Sequence, residues 1–311
     1  MKPLRSLAPL AESTSGCHER ALSPITLAFA SARMPLVITG AGISTSSGIP
    51  DYRSPNRPVY TPLQHVDFLT KPSTRRRYWA RSFLGYPRLS QSEPNPGHDA
   101  LARLVLAGRL ATVITQNVDR LHHKAIENMR QRERLQHIAF SNPLIELHGT
   151  IHEVSCMECD WEVSRSTIQE LLHQSNAGWR DHWLKDAVAR PDGDVEMPEE
   201  SYSDFRMPQC GSCGAELLKP KVIFHGGTLD PWVREAAAAA AAAADFVLLA
   251  GTTVTTYSAF RLVRDAANRG ATIAIINFGP TRADSLLRAP EWKVDGHTSP
   301  CLVQLADSVL G

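Results

Sequence analysis

Short runs of consecutive apolar residues punctuate this chain, separated by stretches whose apolar positions recur at helical spacing. Leu36-Val37-Ile38-Thr39, Ala111 to Thr115, Leu144 to Leu147, Val222 to Phe224, Phe246 to Ala250 and Ile273 to Ile276 each read as a short buried strand. Between them, Ser23-Pro24 opens a helix through Leu27 and Phe29, Leu101 to Leu106 forms a helix stopped near Gly108, and Val118 to Ile126 forms another. The alanine run Ala236 to Ala244 and the segment from about Tyr257 to Arg269 complete the series. Strands alternating with helices predict an α/β fold, a Rossmann-like and mostly parallel sheet with helices on both faces.

Two stretches break the rhythm. Residues 54–96 are rich in proline, arginine and aromatics without a clear period, and read as a partly helical covering loop. Between Cys159 and Cys210, Trp161, Trp179 and Trp183 sit among many polar residues, which indicates a separate small module. The expected organisation is a tail at 1–22, disordered or targeting, a Rossmann-like domain from 23–150 and 215–311, and an inserted module at 151–214. In the tail, Lys2, Arg5 and several serines resemble a transit peptide, but Glu12 and Glu19 dilute the resemblance. No internal repeat is visible.

Composition narrows the partners. With 311 residues, 43% hydrophobic and 21% charged, the chain is long enough for one large domain and a smaller module. A formal net charge of +1 gives no field that would favour a polyanion, so nucleic-acid binding has no support. No stretch approaches 18 uninterrupted apolar residues, so no membrane span is expected. The pattern carries no sign of oligomeric state.

Four of the six cysteines form two C-x-x-C pairs, Cys156/Cys159 and Cys210/Cys213. Two such knuckles suit a tetrahedral Zn²⁺, and four thiolates leave no open position for substrate, so the metal is structural. A redox pair or buried thiols are the alternatives. Cys17 and Cys301 fall outside the pattern.

Three further segments carry candidate chemistry. Gly40-Ala41-Gly42-Ile43-Ser44 follows directly on a strand, where glycines let backbone amides approach a pyrophosphate. The spacing is not G-x-G-x-x-G, and a plain glycine-rich turn remains open. Just beyond, Asp51, Tyr52 and Arg53 place an acid, an aromatic and a base together, suited either to closing over a nicotinamide ring or to a salt-bridged loop. Thr115-Gln116-Asn117-Val118-Asp119 lies at another strand end, where amides and a carboxylate suit a ribose or carboxamide, or cap a helix. His148-Gly149 ends a third strand, and an imidazole there suits proton removal from a hydroxyl or a structural hydrogen bond.

Taken in order, these segments resemble the sirtuin family. Thr39 to Arg53 is similar to its GAGIS-x-x-SGIPD-(F/Y)-R signature, Thr115 to Asp119 to TQNVD, and Leu147-His148-Gly149 to LHG. Lys219-Pro220 with Val222, Ile223, Phe224 and Gly226 resembles its KP-x-VVFFG substrate strand. Similarity runs from about residue 35 to the C-terminus. Tyr78-Trp79-Ala80-Arg81, Pro191 to Val195, and Asn277 through Gly279 to Asp284 resemble the class II, mitochondrial-type branch.

The resemblance implies an NAD-dependent protein deacylase that transfers an acyl group from lysine to ADP-ribose, with nicotinamide and free lysine as the other products. His148 is implied as catalytic base, with Asn117 beside it. Gly40, Ala41, Gly42, Ser44, Asp51, Tyr52, Arg53, Gln116, Asn117, Asp119, Gly251, Thr252, Thr253, Asn277, Gly279 and Cys301 are implied as NAD contacts. Val222, Ile223, Phe224 and Gly226 are implied as contacts to acylated lysine on protein substrates, and the cysteine quartet as ligands of one zinc ion. The branch implies a mitochondrial matrix location, with cytoplasm or nucleus as alternatives.

There are departures from the family pattern. His225 stands where phenylalanine is usual, Gly227 where an acid is frequent, and Thr253-Val254 where Ser-Leu is common. Desuccinylating sirtuins carry a tyrosine and an arginine three residues apart in the covering segment. Here Tyr60 is followed at that spacing by Leu63, which disfavours negatively charged acyl groups. Competing readings are a protein mono-ADP-ribosyltransferase using the same pocket, a non-catalytic zinc-knuckle binding module, and a hydride-transferring dehydrogenase.

Overall fold

The apolar runs become strands close to the positions their patterning predicts. The computed structural model describes residues 19–52, 61–135, 143–185, 187–189, 194–198 and 202–311, with the backbone alone for 19, 20, 188 and 189. In chain order the elements begin with α1 (Glu19–Ser31), β1 (Pro35–Thr39), a 3-10 turn (Ala41–Ser47), α2 (His65–Thr70), α3 (Pro72–Ser90), α4 (Pro96–Leu106), β2 (Thr112–Thr115), α5 (Leu121–Arg132) and β3 (Leu144–Glu146). There follow β4 (Gly149–Cys156), β5 (Glu162–Ser164), α6 (Arg165–Trp183), β6 (Val188–Ala189), β7 (Val195–Glu196) and β8 (Leu218–Val222). The chain finishes with α7 (Pro231–Ala243), β9 (Phe246–Ala250), α8 (Tyr257–Asn268), β10 (Thr272–Ile276), β11 (Lys293–Val294) and α9 (Thr298–Leu310). Among the described residues, no helix is long and apolar enough to cross a membrane.

The chain divides into two compact units. One takes its described residues from 19–48, Glu93–Leu147 and Asp230–Gly311; the other takes them from Ile49–Ser92 and His148–Leu229. Segment 151–214 lies wholly within the second, which also takes in 49–92.

The first unit is built on a six-stranded, all-parallel sheet in the order β11-β10-β9-β1-β2-β3. Its strands are apolar on both faces, as a doubly covered sheet requires. Val37, Val113, Leu248 and Ala274 share one core cluster with Leu22, Ile25 and Phe29 of α1, Leu101 and Leu104 of α4, Ala125 of α5 and Leu302 and Leu305 of α9. The intervening residues Leu36, Ile38, Leu249 and Ile275 are equally buried, and they point to the other face because side chains alternate along a strand. There α8 packs on β10 and α7 on α8. Alanine at 237 and 241, one turn apart, buries the inner stripe of α7.

The second unit holds a three-stranded antiparallel sheet, β5-β4-β8, a two-stranded ribbon of β6 and β7, and helices α2, α3 and α6. Trp79, Phe83 and Leu84 of α3, Ile168 and Leu172 of α6, Val154 of β4 and Leu218 of β8 share its core. The pairing of β4 with β8 shifts register between Gly149 and Val154. Gly149 enters this bulge at φ +75°, and a Cβ there would lie 1.9 Å from the Lys221 carbonyl oxygen, so only glycine fits.

Several boundaries differ from the sequence reading, each for a local reason. Helix α1 begins at Glu19, so Pro24 lies inside it and not in its first turn. Helix α5 starts at Leu121 and not at Val118, because the Asp119 carboxylate accepts a hydrogen bond from the Leu121 amide (3.0 Å) and Arg120 adopts φ +60°. The strand expected at Val222 to Phe224 spans Leu218–Val222.

Candidate active site

Because every strand of the first unit runs the same way, the segments that follow their carboxyl ends share one edge. Thr39 pairs with Thr115 on one side and Ala250 on the other, and Ala250 pairs with Ile276. Gly40 to Ser44, Gln116 to Asp119, Gly251 to Thr253 and Asn277 to Gly279 therefore line up along that edge. Strand order runs β1-β2-β3 in one direction and β9-β10-β11 in the other, so the reversal lies between β1 and β9. Open α/β sheets bind ligands in the crevice outside such a reversal.

The glycines at this reversal have a packing role of their own. Gly42 donates its amide to the Gly251 carbonyl at 2.9 Å. A Cβ on Gly42 would meet that carbonyl oxygen at 2.7 Å, and one on Gly40 would meet the Thr252 side chain at 2.8 Å. The two loops touch through their backbones. Val254, a buried β-branched residue, follows at φ +43°, a sparsely populated conformation that costs on the order of 1–3 kcal/mol.

Polar side chains join the loops into a network. Gln116 Nε2 donates to the Thr39 carbonyl (3.1 Å) and Thr252 Oγ1 (2.8 Å), and Gln116 Oε1 accepts from Thr256 (3.2 Å). Asn117 Nδ2 donates to the Gly40 carbonyl (3.0 Å) and Ser44 Oγ (3.1 Å), and Ser44 Oγ donates to Asp119 Oδ2 (2.7 Å). Burial of Asp119 pushes its carboxyl above the ordinary range, against the hydrogen bonds from Leu121 and Ser44 that favour the charged form. Asn277 is buried at the end of β10, its Nδ2 donating to the Phe278 carbonyl (2.9 Å), and Gly279 turns at φ +79°. Cys301 lies in the first turn of α9 with its side chain in the core cluster that packs α9 on α4.

Two histidines behind this network were not singled out by the sequence. The rings of His98 and His122 lie 4.8 Å apart, with His98 Nε2 at 3.5 Å from Ser44 Oγ and His122 Nε2 at 2.9 Å from Thr39 Oγ1. Among twelve histidines, spacing alone did not distinguish them. Burial lowers the pKa of both, that of His122 to about 3, with His122 adding to the effect on His98. A histidine depressed in the folded state stays neutral there while the unfolded chain takes up a proton below about pH 6.5. Stability contributed by the neutral form is therefore present above that pH and declines as pH falls toward 3. We expect urea unfolding to show a loss of up to about 1.4 kcal/mol per pH unit for each histidine between pH 6.5 and 5. His122→Gln should have a shallower slope, and an identical slope would contradict the burial argument.

The second unit carries the other candidate residues. His148, half-buried, comes two residues after the end of β3; its carbonyl accepts the Ile223 amide at 3.0 Å, and Gly149 pairs with Val222. His148 and the proposed substrate strand are thus held together through backbone. Phe224 is buried beside the rings of Phe68 (5.0 Å) and Tyr78 (5.3 Å), while Gly226 is exposed at φ +79°. The His225 amide donates to the Leu63 carbonyl and its carbonyl accepts from His65, so residues 63–65 clamp the strand's end. Asp51 is half-buried and Tyr52 exposed; Arg53, like Tyr60, lies outside the described residues.

The Tyr-x-x-Arg spacing sought at Tyr60 is present at Tyr78 and Arg81, in what proves to be helix α3. Arg81 bonds the Asp194 carboxylate and the Val195 carbonyl. The inference against negatively charged acyl groups therefore falls away.

The four paired cysteines converge in the same unit. Their sulfurs all lie within 4.8 Å of one another, with Cys156–Cys213 and Cys159–Cys210 at 3.7 Å. Tetrahedral zinc at a Zn–S bond of about 2.3 Å requires sulfurs roughly 3.8 Å apart, so the quartet fits the ion. Amides of Glu158, Ser212 and Cys213 point to the first sulfur of each knuckle, at 3.5, 3.4 and 3.5 Å, as thiolate acceptors require. All four thiols would ligate the ion, which would then cross-link the two knuckles and leave no site for catalysis.

The chain matches the model of the Sir2 family over residues 40–258. It is 43% identical over 258 residues to a Monosiga brevicollis protein named NAD-dependent protein deacylase SIR4, covering 82% of this chain and 78% of that one. It is 40% identical over 258 residues to the Bos taurus NAD-dependent protein lipoamidase sirtuin-4, mitochondrial, covering 81% and 76%. A solved Sir2 enzyme superposes with a TM-score of 0.70 at 26% identity, over 94% of this chain and 98% of that one. The chain belongs to the Sir2 family.

Proposed function

We propose that this chain is an NAD-dependent protein-lysine deacylase that passes the acyl group to ADP-ribose and releases nicotinamide and free lysine. The observation that carries the reading is the sheet reversal between β1 and β9, with Gly40–Gly42 and Gly251–Thr253 at its mouth and Gln116, Asn117 and Asp119 beside it. Names of relatives from Monosiga brevicollis and Bos taurus support the same chemistry. So does the residue set: a pure zinc-knuckle scaffold has no use for Gln116, Asn117 and His148.

When bound, NAD⁺ supplies the glycosidic bond that breaks with loss of nicotinamide, and the ribose hydroxyl that receives the acyl group. The pyrophosphate would lie against the Gly40–Gly42 turn, where the Gly42 amide is already engaged by Gly251, and Asn277 with Gly279 would hold the adenosine half. Asn117 and Asp51 would orient the nicotinamide. His148 would remove the proton from the ribose hydroxyl, a task suited to an imidazole near neutral pH. The acyl-lysine segment adds as an extended strand against Val222 to Gly226, so main-chain bonds supply affinity and the acyl pocket supplies selectivity. Mitochondrial residence follows the Bos taurus relative, whose name states it.

The test is a panel of peptides bearing acetyl, long fatty acyl, lipoyl and dicarboxylic acyl lysines, scored for nicotinamide release. Release that depends on at least one acyl-peptide and leaves bare lysine is the expected result. Release that leaves ADP-ribose on the protein acceptor would favour mono-ADP-ribosylation instead.

A further inference from the structure

Lys219 is a buried cation that the proposed chemistry does not use. It is 7% exposed, and among the described residues no carboxylate pairs with it. Its ammonium donates instead to the Val222 carbonyl at 2.6 Å and the Pro220 carbonyl at 3.1 Å, and lies 4.8 Å from the centre of the Phe224 ring. These partners fall on β8 and the two residues beyond it, where the register with β4 has shifted. Burial lowers the lysine's pKa to about 8, so the folded unit keeps this charge against a desolvation penalty. An apolar side chain of similar length would fill the space without that penalty. What only the ammonium does is tie two backbone carbonyls together beneath an aromatic ring.

We propose that Lys219 is a positioning residue for the substrate strand, its ammonium fixing the backbone of Val222 to Gly226 and the Phe224 ring in the shape that receives an acyl-lysine peptide. The inference rests on the reading of Val222 to Gly226 as the edge to which peptide adds. The restraints are complementary. Residues 63–65 hold His225 from one side through backbone bonds, the His148 carbonyl holds Ile223, and Lys219 holds Val222 from within the unit. Phe224 meets both the ammonium and the rings of Phe68 in α2 and Tyr78 in α3, so the charge and the two helices bear on the same side chain. His65 lies close enough for the Lys219 charge to help depress its own pKa, after burial.

The experiment compares wild type, Lys219→Met and Lys219→Arg in the full chain, with the best acyl-peptide from the panel. Loss of a charged hydrogen-bond pair predicts a peptide KM raised about tenfold or more in Lys219→Met, with the KM for NAD⁺ within about twofold and the melting temperature unchanged or higher. Lys219→Arg, which keeps a cation, is expected to recover most of the peptide affinity. Should Lys219→Met fail to fold, Lys219→Gln is read in the same way. An unchanged peptide KM in the neutral variant, or equal rises in both KM values with a lower melting temperature, overturns the proposal. Backbone N-methylation of the peptide beside the acyl-lysine separates the two ideas. If methylation leaves affinity intact, the strand reading fails; if it weakens binding while Lys219→Met does not, only the role of Lys219 fails.

Discussion

His148→Tyr is expected to lower deacylation by about 10²–10⁴-fold while leaving the dissociation constant for NAD⁺ within about twofold. The expectation follows from a division of labour within the chain. The residues proposed to hold the dinucleotide sit on loops after β1, β2, β9 and β10; Gln116, Asn117 and the Gly42–Gly251 contact lock the first three together, and the Arg282 amide ties the fourth to the Thr253 carbonyl. None of those contacts uses the His148 side chain. The backbone of His148 is held through its carbonyl to Ile223 and through Gly149, whose bulge admits no Cβ. Replacing the ring leaves those restraints in place, so the fold should survive and the proton transfer should not. Thermal unfolding, calorimetric NAD⁺ titration and peptide turnover on one preparation separate these effects, and unchanged turnover would remove His148 from the mechanism.

Removing the metal is expected to have an effect of comparable size by a different route. Structural zinc contributes about 10–16 kcal/mol of apparent binding free energy in small modules, which rivals the whole stability of a typical domain. Cys156 and Cys210 are buried in the same core as Val154, Ile168, Leu172 and Leu218, so an unfilled thiolate cluster would open that core from inside. Cys156→Ser or Cys210→Ser should lose zinc, drop the unfolding temperature on the order of 10 °C or more, and abolish activity together with stability. A strong chelator should reproduce the loss in the wild type, with about one zinc released per chain. A metal-free variant that stays folded and active would show that the quartet is not a structural site.

How much of this was legible in the sequence differs between the two units, for physical reasons. A parallel sheet buried on both faces is written as short apolar runs, and β1, β2, β9 and β10 were found to within a residue at each end. The candidate loops were legible for the same reason, since each follows a strand end. The 19-residue helix α3 was not, because it is buried on several sides and its buried set includes Arg75 and Ser82 beside Trp79, Phe83 and Leu84. With Pro87 inside it as well, no apolar stripe survives to be read. Helix α6 was hidden similarly, by the buried Arg165 that stacks on Trp79 and Tyr86 and donates to the Ser82 carbonyl. Partnered polar residues in a core erase hydrophobic periodicity. The same blindness applied to His98 and His122, whose burial is a tertiary property without local signature.

Departures at Thr253-Val254 and His225 acquire a setting in the structure. Val254 carries the strained backbone of the loop after β9, with its amide on Thr252 Oγ1 at 3.1 Å. His225 is pinned by backbone bonds on both its amide and its carbonyl, so its side chain can vary without loosening the strand.

The proposed reaction couples loss of nicotinamide to transfer of an acyl group from lysine to the ribose. Mass spectrometry of a single reaction with NAD⁺ and acyl-peptide tests it most directly. Acyl-ADP-ribose, nicotinamide and bare-lysine peptide are expected in equal amounts. Free acid with NAD⁺ unconsumed, or peptide that keeps its acyl group while nicotinamide accumulates, would contradict it.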